Sequence, residues 1–351
     1  MKQTAKRAAV ATLVVLGIVA AALALWKLKL VIALLFLACI VAAAMRPGIE
    51  ALKRHRVPRG IGLLLHYLVL AGIVALLLWI VVPRAIDQVH SALRGDTKAQ
   101  IHREAARSTG IKHEFLTAVD KRLRDLPKAR DLVPRVAEVT RRAFEVLLGI
   151  LFVLATAAYW IFERERAVDF VASLLPRPRR KKLRDTWNLI DLKLGAFVRG
   201  QLLLMVLVGT VLSLAFMGIG EPYFILVGAF AGIVEIVPVI GPLAAGALAI
   251  GVGFTDSWQT ALAAGLCVLG VRLLEDYLIV PRVLGDAVGL SPLLVLVSVT
   301  AIGILFGGYA VVLAVPIAAV LVTLLDVVVR AKDPAAEEVP TVLFPAKEVE
   351  R

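Results

Sequence analysis

The chain is poor in the residues that carry most enzymatic chemistry. Its two cysteines, Cys39 and Cys267, sit in separate apolar runs, so neither a disulfide framework nor a thiolate metal site is on offer. Five histidines are scattered over loops and the start of one helix without metal-ligand spacing, and no His-Glu-x-x-His occurs. A Gly-x-x-x-x-Gly-Lys loop that would cradle nucleotide phosphates is also missing, which argues against ATP drive within this chain and against any bound cofactor. Ser291 has no neighbouring His to act as a base, so a membrane-embedded hydrolase is not expected and the chain is read as a non-enzyme. Acids are scarce relative to bases, 27 Asp and Glu against 40 Lys and Arg. The resulting net charge of +13 does not point to nucleic acid, because the cations flank apolar runs, where they follow the positive-inside rule.

What the chain has in excess is apolar sequence. Of 351 residues, 60% are hydrophobic, and the mean hydropathy is +0.87. This composition predicts an all-α polytopic membrane protein. The runs predict about eight transmembrane helices, one Pro/Gly-broken helical hairpin among them, and a polar helical insert.

Residues 1–83 hold three expected spans: Ala8 to Trp26, Leu30 to Ala44 and Ile61 to Val82. The first imitates a signal peptide, but only Lys27-Leu28-Lys29 separates it from the second, which favours an uncleaved helical hairpin. Residues 84–141 form a polar extracytoplasmic insert in which Ile111, Phe115, Leu116, Val119, Leu123 and Leu126 mark one stripe of an amphipathic helix ending at Pro127. A second helix is expected from near Asp131 into span four, within 142–162. Residues 163–198 are strongly basic. After Pro178, Leu183, Trp187, Ile190, Leu194 and Phe197 recur at helical steps, predicting a helix lying flat at a cytoplasmic surface of anionic lipid. Residues 199–330 form the C-terminal transport region, in which Pro316 is expected to kink the last apolar run. Residues 331–351, with Glu337, Glu338, Pro340 and Pro345, have the composition of a disordered cytoplasmic tail.

The rest is arranged around residues 222–254. This run could cross a membrane, yet Pro238, Gly241 and Pro242 interrupt its middle, where each Pro removes a backbone donor and clashes with the turn before it. Two short helices and a broken apex are predicted. Broken backbone at membrane depth is tolerated only inside protein or beside a wet cavity, and such interruptions point to a transporter's binding site. Glu235 lies roughly 17 Å along the first half-helix at about 1.5 Å per residue. A carboxylate at that depth is expected to be paired, protonated or facing water. Further on, Arg272, Glu275 and Asp276 share one helical face at three- and four-residue spacing, so the acids either pair with the arginine or line a vestibule. Arg199 and Gln201 at the head of span five are candidates to support the apex by hydrogen bonds. Ser291 is suited to cap a helix that has Pro292 in its first turn.

Four stretches give a resemblance: Phe197-Val-Arg-Gly-Gln201; Glu221-Pro-Tyr-Phe-Ile-Leu-Val-Gly228; Ile236-Val-Pro-Val-Ile-Gly-Pro242; and Pro281-Arg-Val-Leu-Gly-Asp286 with Gly289-Leu-Ser-Pro292, Phe306-Gly-Gly308 and Ala314-Val-Pro316. In order and spacing they resemble the AI-2E family of bacterial membrane transporters, most strongly over residues 183–325. Many relatives carry His where this chain has Ser291. The resemblance implies a homo-oligomeric transporter in the cytoplasmic (inner) membrane, with both termini cytoplasmic and the hairpin as the working element. It implies an energy-coupled or passive transporter, read as a secondary exporter of a small polar solute such as autoinducer-2; coupling to protons is the reading of Glu235, expected to take up and release one. Na+(Li+)/H+ exchange remains an alternative, as does a channel or scaffold. The expected pathway residues are Glu235, Pro238, Gly241, Pro242, Arg199, Gln201, Arg272, Glu275, Asp276 and Ser291, and the expected partners are the solute or a cation and the lipid.

Overall fold

Long apolar runs whose polar backbone must be satisfied without water can only coil into helices. A computed structural model describes residues 2–93, 129–280, 290–337 and 339, and among these the secondary structure is helical throughout. The helices are α1 (Lys2–Lys27), α2 (Lys29–Arg54), α3 (Arg59–Leu93), α4 (Ala129–Ser173), α5 (Arg177–Gly218), α6 (Phe224–Val234), α7 (Ile240–Gly253), α8 (Trp258–Leu274), α9 (Pro292–Phe306) and α10 (Ala314–Val328). A π-helical turn, Glu275–Ile279, extends α8, and a 3-10 stretch, Gly308–Leu313, leads into α10. Five segments among the described residues are long and apolar enough to cross a membrane: Lys29–Arg54, Arg59–Pro83, Thr140–Ser173, Arg177–Gly218 and Gly308–Val328. The protein is thus an all-α, multi-pass membrane protein. The stripe from Ile111 to Leu126 and the motif from Pro281 to Gly289 lie outside the described residues.

Two bodies of packing meet on α5. Toward its C-terminus, Val208, Leu212 and Phe216 form a core with Val227 and Ala231 of α6, Ala245 and Ala249 of α7 and Ala264 of α8. This is the hairpin region, in which α6 and α7 lie side by side. Toward its N-terminus, Leu194 packs with Ile40 and Ala43 of α2 and Leu313 of the 3-10 stretch. Ala38 and Ala42 of α2 meet Val153 and Ala157 of α4. Small residues let α5 and α6 approach closely: a Cβ on Gly232 would lie 2.6 Å from the Met205 carbonyl and 2.9 Å from the Gly209 Cα. Small residues are the usual device for close helix contact where lipid supplies no hydrophobic drive.

The structure departs from the sequence expectations in several places. The first two spans do not form a hairpin: Leu28 has φ −86° and ψ 3°. Bonds from Leu28 N to Ala24 O and from Ile32 N to Leu28 O carry the helical path through it. One residue so close to helical geometry cannot reverse a chain. The basic stretch after Pro178 is not a separate helix lying flat on lipid, because it is the first half of the 42-residue α5. Its stripe faces protein instead, with Leu194 and Phe197 buried and Trp187 tilted against Trp160 of α4, ring centres 6.2 Å apart. Helices α2 and α3 run through Pro47 and Pro83 and outlast their apolar runs. Pro316 falls in the first turn of α10, where its missing N–H costs nothing, and the change of path occurs at the 3-10 to α junction before it. The start of the tail is not disordered. Lys193, buried in α5, draws Glu337 to 2.6 Å, and Val339 is buried with Leu189 and Ala196.

Candidate functional site

The break at the hairpin apex follows from its prolines. Helix α6 ends at Val234, and Glu235 caps it with its N–H on the Ala231 carbonyl. The chain then tightens, Ile236 N bonding Ile233 O and Val237 N bonding Val234 O. Pro238 has no N–H to continue the helix. Val239 turns the chain with φ +71° and ψ −52°, and Ile240 N reaches back to Pro238 O at 2.9 Å. That combination is a γ-turn in the strained positive-φ form. Helix α7 starts at Ile240, with Pro242 in its first turn. At about 1.5 Å per residue, α6 is about 16 Å long and α7 about 21 Å, both short of the ~30 Å hydrocarbon core. Gly241 is obligatory here: a Cβ would strike the Val234 carbonyl oxygen and lie 2.7 Å from its carbon.

Onto this apex the fold brings four charges. Arg272 of α8 stands between three carboxylates: Asp276 Oδ1 at 2.9 Å from its Nη2, Glu275 Oε2 at 3.2 Å from its Nη1 and Glu235 Oε1 at 3.7 Å from the same nitrogen. Glu235 and Glu275 are buried, 4% and 3% exposed. The side chains of Arg272 and Asp276 are 30% and 45% exposed, so the cluster runs from a closed interior to an open rim. One guanidinium facing three carboxylates leaves an excess of two negative charges when all are ionised, which suits the group to hold a proton. Glu275 owes its place to the π-turn, which widens and under-winds the end of α8; such turns recur at functional sites.

Gln201 locks the apex from α5. Its buried Nε2 donates to the Glu235 carbonyl at 2.7 Å, satisfying one of the acceptors that the broken helix leaves open. Of the ten residues expected from sequence, the structure thus assembles Glu235, Pro238, Gly241, Pro242, Gln201, Arg272, Glu275 and Asp276. Arg199 does not support the apex: its Nη1 donates to the Ala44 carbonyl of α2 at 3.2 Å, because it leaves α5 on the opposite side from Gln201. Ser291 caps α9, its Oγ accepting from Leu294 N at 3.3 Å. The γ-turn at Val239 and the π-turn were not foreseen, since neither a valine nor the Glu-Asp-Tyr sequence announces such backbone.

Comparison with known proteins agrees with this geometry. The profile of the AI-2E family transporters matches residues 13–330. The chain is 26% identical over 301 residues to "Putative transport protein YueF" of Bacillus subtilis (strain 168), covering 82% of this chain and 81% of that one. It is 24% identical over 280 residues to "Putative permease PerM" of Escherichia coli (strain K12), covering 75% and 76%. A third relative, "Putative transport protein YrrI" of Bacillus subtilis (strain 168), is 27% identical over 183 residues, about half of each chain. With a match that spans nearly the whole chain and takes in the broken hairpin and the helix facing it, this protein belongs to the AI-2E family of transporters.

Proposed function

We propose that the protein is a secondary transporter that exports a small polar solute such as autoinducer-2 in exchange for protons. The observation that carries this reading is the charge group at the apex, where Glu235 and Glu275 share Arg272 under a backbone turn locked by Gln201. In the proposed cycle the half-helix ends at Val234 and Ile240 offer the solute backbone groups that the broken helix leaves free. The buried pair takes up a proton as Arg272 swings toward Asp276, and releases it when the arginine returns. Exchange of sodium or lithium for protons is the second reading, supported by the three-to-one excess of carboxylates over guanidinium at the group.

The same reading places the protein in the bacterial inner membrane with the basic loop after α2 and the C-terminus cytoplasmic, by the retention of Lys and Arg on that side; the cytoplasmic N-terminus expected from sequence rests on the hairpin that the continuous α1–α2 replaces. Anionic lipid is the proposed partner of the exposed Arg177, Arg179 and Lys181, and assembly as a homo-oligomer is part of the proposal.

Flux in proteoliposomes tests it. The wild type should accumulate solute against its gradient when a proton gradient is imposed, and the rate should saturate with solute. Glu235→Gln should abolish the dependence on the proton gradient. Flux that neither saturates nor runs uphill would identify a channel, and a sodium or lithium gradient that replaces the proton gradient would favour cation exchange.

A further inference from the structure

The hairpin carries a second buried carboxyl at the end away from its apex. Glu221 lies in the turn between α5 and α6, where its N–H bonds the Phe216 carbonyl at 2.9 Å. Gly220 and Tyr223 on either side take positive φ, 73° and 63°. The turn thereby folds the Glu221 side chain inward. It is 2% exposed, and neither carboxyl oxygen has a hydrogen-bond partner. An ionised carboxylate in that position lacks everything that makes a buried charge tolerable, namely a counter-ion or donors.

Its surroundings deepen the problem. Asp256, from the turn between α7 and α8, adds a like charge, and the Cys267 thiol of α8 lies within electrostatic reach of Glu221. Asp256 is exposed and already engaged, its Oδ2 accepting from Thr260 Oγ1 at 2.6 Å beside the Ser257 cap of α8. Burial, with a further push from Asp256, brings the Glu221 carboxyl up to about 7. A metal ion does not fit: no group of three or more His, Cys, Asp or Glu able to hold one occurs among the described residues.

We infer that Glu221 is a proton-binding site, separate from the apex group, whose neutral form lets the two turns at the far end of the hairpin pack without a buried charge between them. A proton taken from solvent forms an O–H bond on a Glu221 carboxyl oxygen, and nothing else changes hands. When the proton leaves, an anion without partners faces Asp256 and the two turns are driven apart. The side chain is a carboxyl whose folded form binds protons more tightly than its unfolded form. Its contribution to stability is therefore complete below the ordinary value of 4.5, declines as pH rises and is gone above about 7.

Thermal unfolding of the full-length protein in detergent, measured from below pH 4.5 to above pH 7, is the first half of the test. The wild-type Tm should fall between those two values and level off above about 7. Glu221→Gln, which mimics the neutral acid, should lose this step and melt at or above the wild type on the alkaline side. Infrared titration is the second half, read as the wild-type minus Glu221→Gln difference so that the apex carboxyls Glu235 and Glu275 cancel: the difference should show the carbonyl band of a protonated carboxyl that disappears near pH 7. Asp256→Asn should move that midpoint to lower pH. A pH step of undiminished size in Glu221→Gln would overturn the assignment, as would a difference spectrum without the carboxyl band. If Glu221→Gln does not fold, the Asp256→Asn titration decides alone: a lowered midpoint supports the site and an unmoved one removes it. None of these readouts needs a transported solute, so they stand apart from the proposed transport cycle.

Discussion

Gln201 and Glu235 are joined through the main chain: the Gln201 amide, buried in α5, donates to the Glu235 carbonyl at 2.7 Å and leaves the Glu235 carboxylate free to face Arg272. The division of labour matters, because the same residue can be held fixed by its backbone while its side chain changes partner. It also ties α5, otherwise apolar along this stretch, to the backbone of the broken apex.

Replacing Gln201 by Leu should strip that carbonyl of its donor while keeping the volume. An unpaired buried acceptor costs about 1–3 kcal/mol. The measurement is the Tm of purified protein, with flux alongside; Gln201→Leu that melts like the wild type would show that water satisfies the apex.

At Gly241 the obstacle is backbone, which cannot yield as a side chain end can. Gly241→Val should therefore abolish flux while the protein still inserts, and even Gly241→Ala should impair it. Overpacking of this kind typically costs about 1–3 kcal/mol. Gly270→Ala is the control, since a Cβ there meets nothing within 4 Å; in a helix interior it should be neutral or stabilise by about 0.5–1 kcal/mol.

Removing Arg272 should harm the protein more than removing one of its acids. Arg272→Met leaves Glu235 and Glu275 buried without a counter-ion, and breaking a buried pair in this way costs about 3–5 kcal/mol. The arginine's partial exposure puts the expectation at the lower end. Adding Glu235→Gln to Arg272→Met should recover part of the loss, and a double-mutant cycle on Tm reads the coupling. Strict additivity would mean that the 3.7 Å pair contributes nothing.

The tail contact gives a test remote from the apex. Glu337→Gln leaves Lys193 as a buried cation without its partner, so it should lower Tm, whereas Lys193→Met with Glu337→Gln should restore it. Equal Tm in all three proteins would show that the tail merely rests on α5.

Sequence alone was enough to find the apex, because prolines and a glycine in an apolar run leave few foldings open, and to group Arg272 with Glu275 and Asp276, because helical spacing is arithmetic. It also placed Gln201 correctly. It failed with Arg199, two residues away, since neighbours on a helix point to different sides and only the position of α2 decides what each meets. The flat basic helix was misjudged for a related reason: a stripe from Leu183 to Phe197 states that one face is apolar, and cannot say whether lipid or protein covers it. At Leu28 the pair of lysines suggested a reversal, yet nothing in Lys-Leu-Lys forbids helix. One available signal was overlooked. Gly228 and Gly232 are spaced as a Gly-x-x-x-Gly pair, and both sit where a Cβ would collide with α5.

The backbone at Val239 has a bearing on how the two half-helices can move. A β-branched residue at φ +71° is held away from its preferred geometry at a cost of order 1–3 kcal/mol, so the tight loop persists only while neighbouring bonds restrain it. Any event that loosens the grip of Gln201 or Arg272 lets Val239 relax toward an extended shape, lengthening the link and setting α6 and α7 free to separate. The turn thus carries local strain that those bonds hold in place.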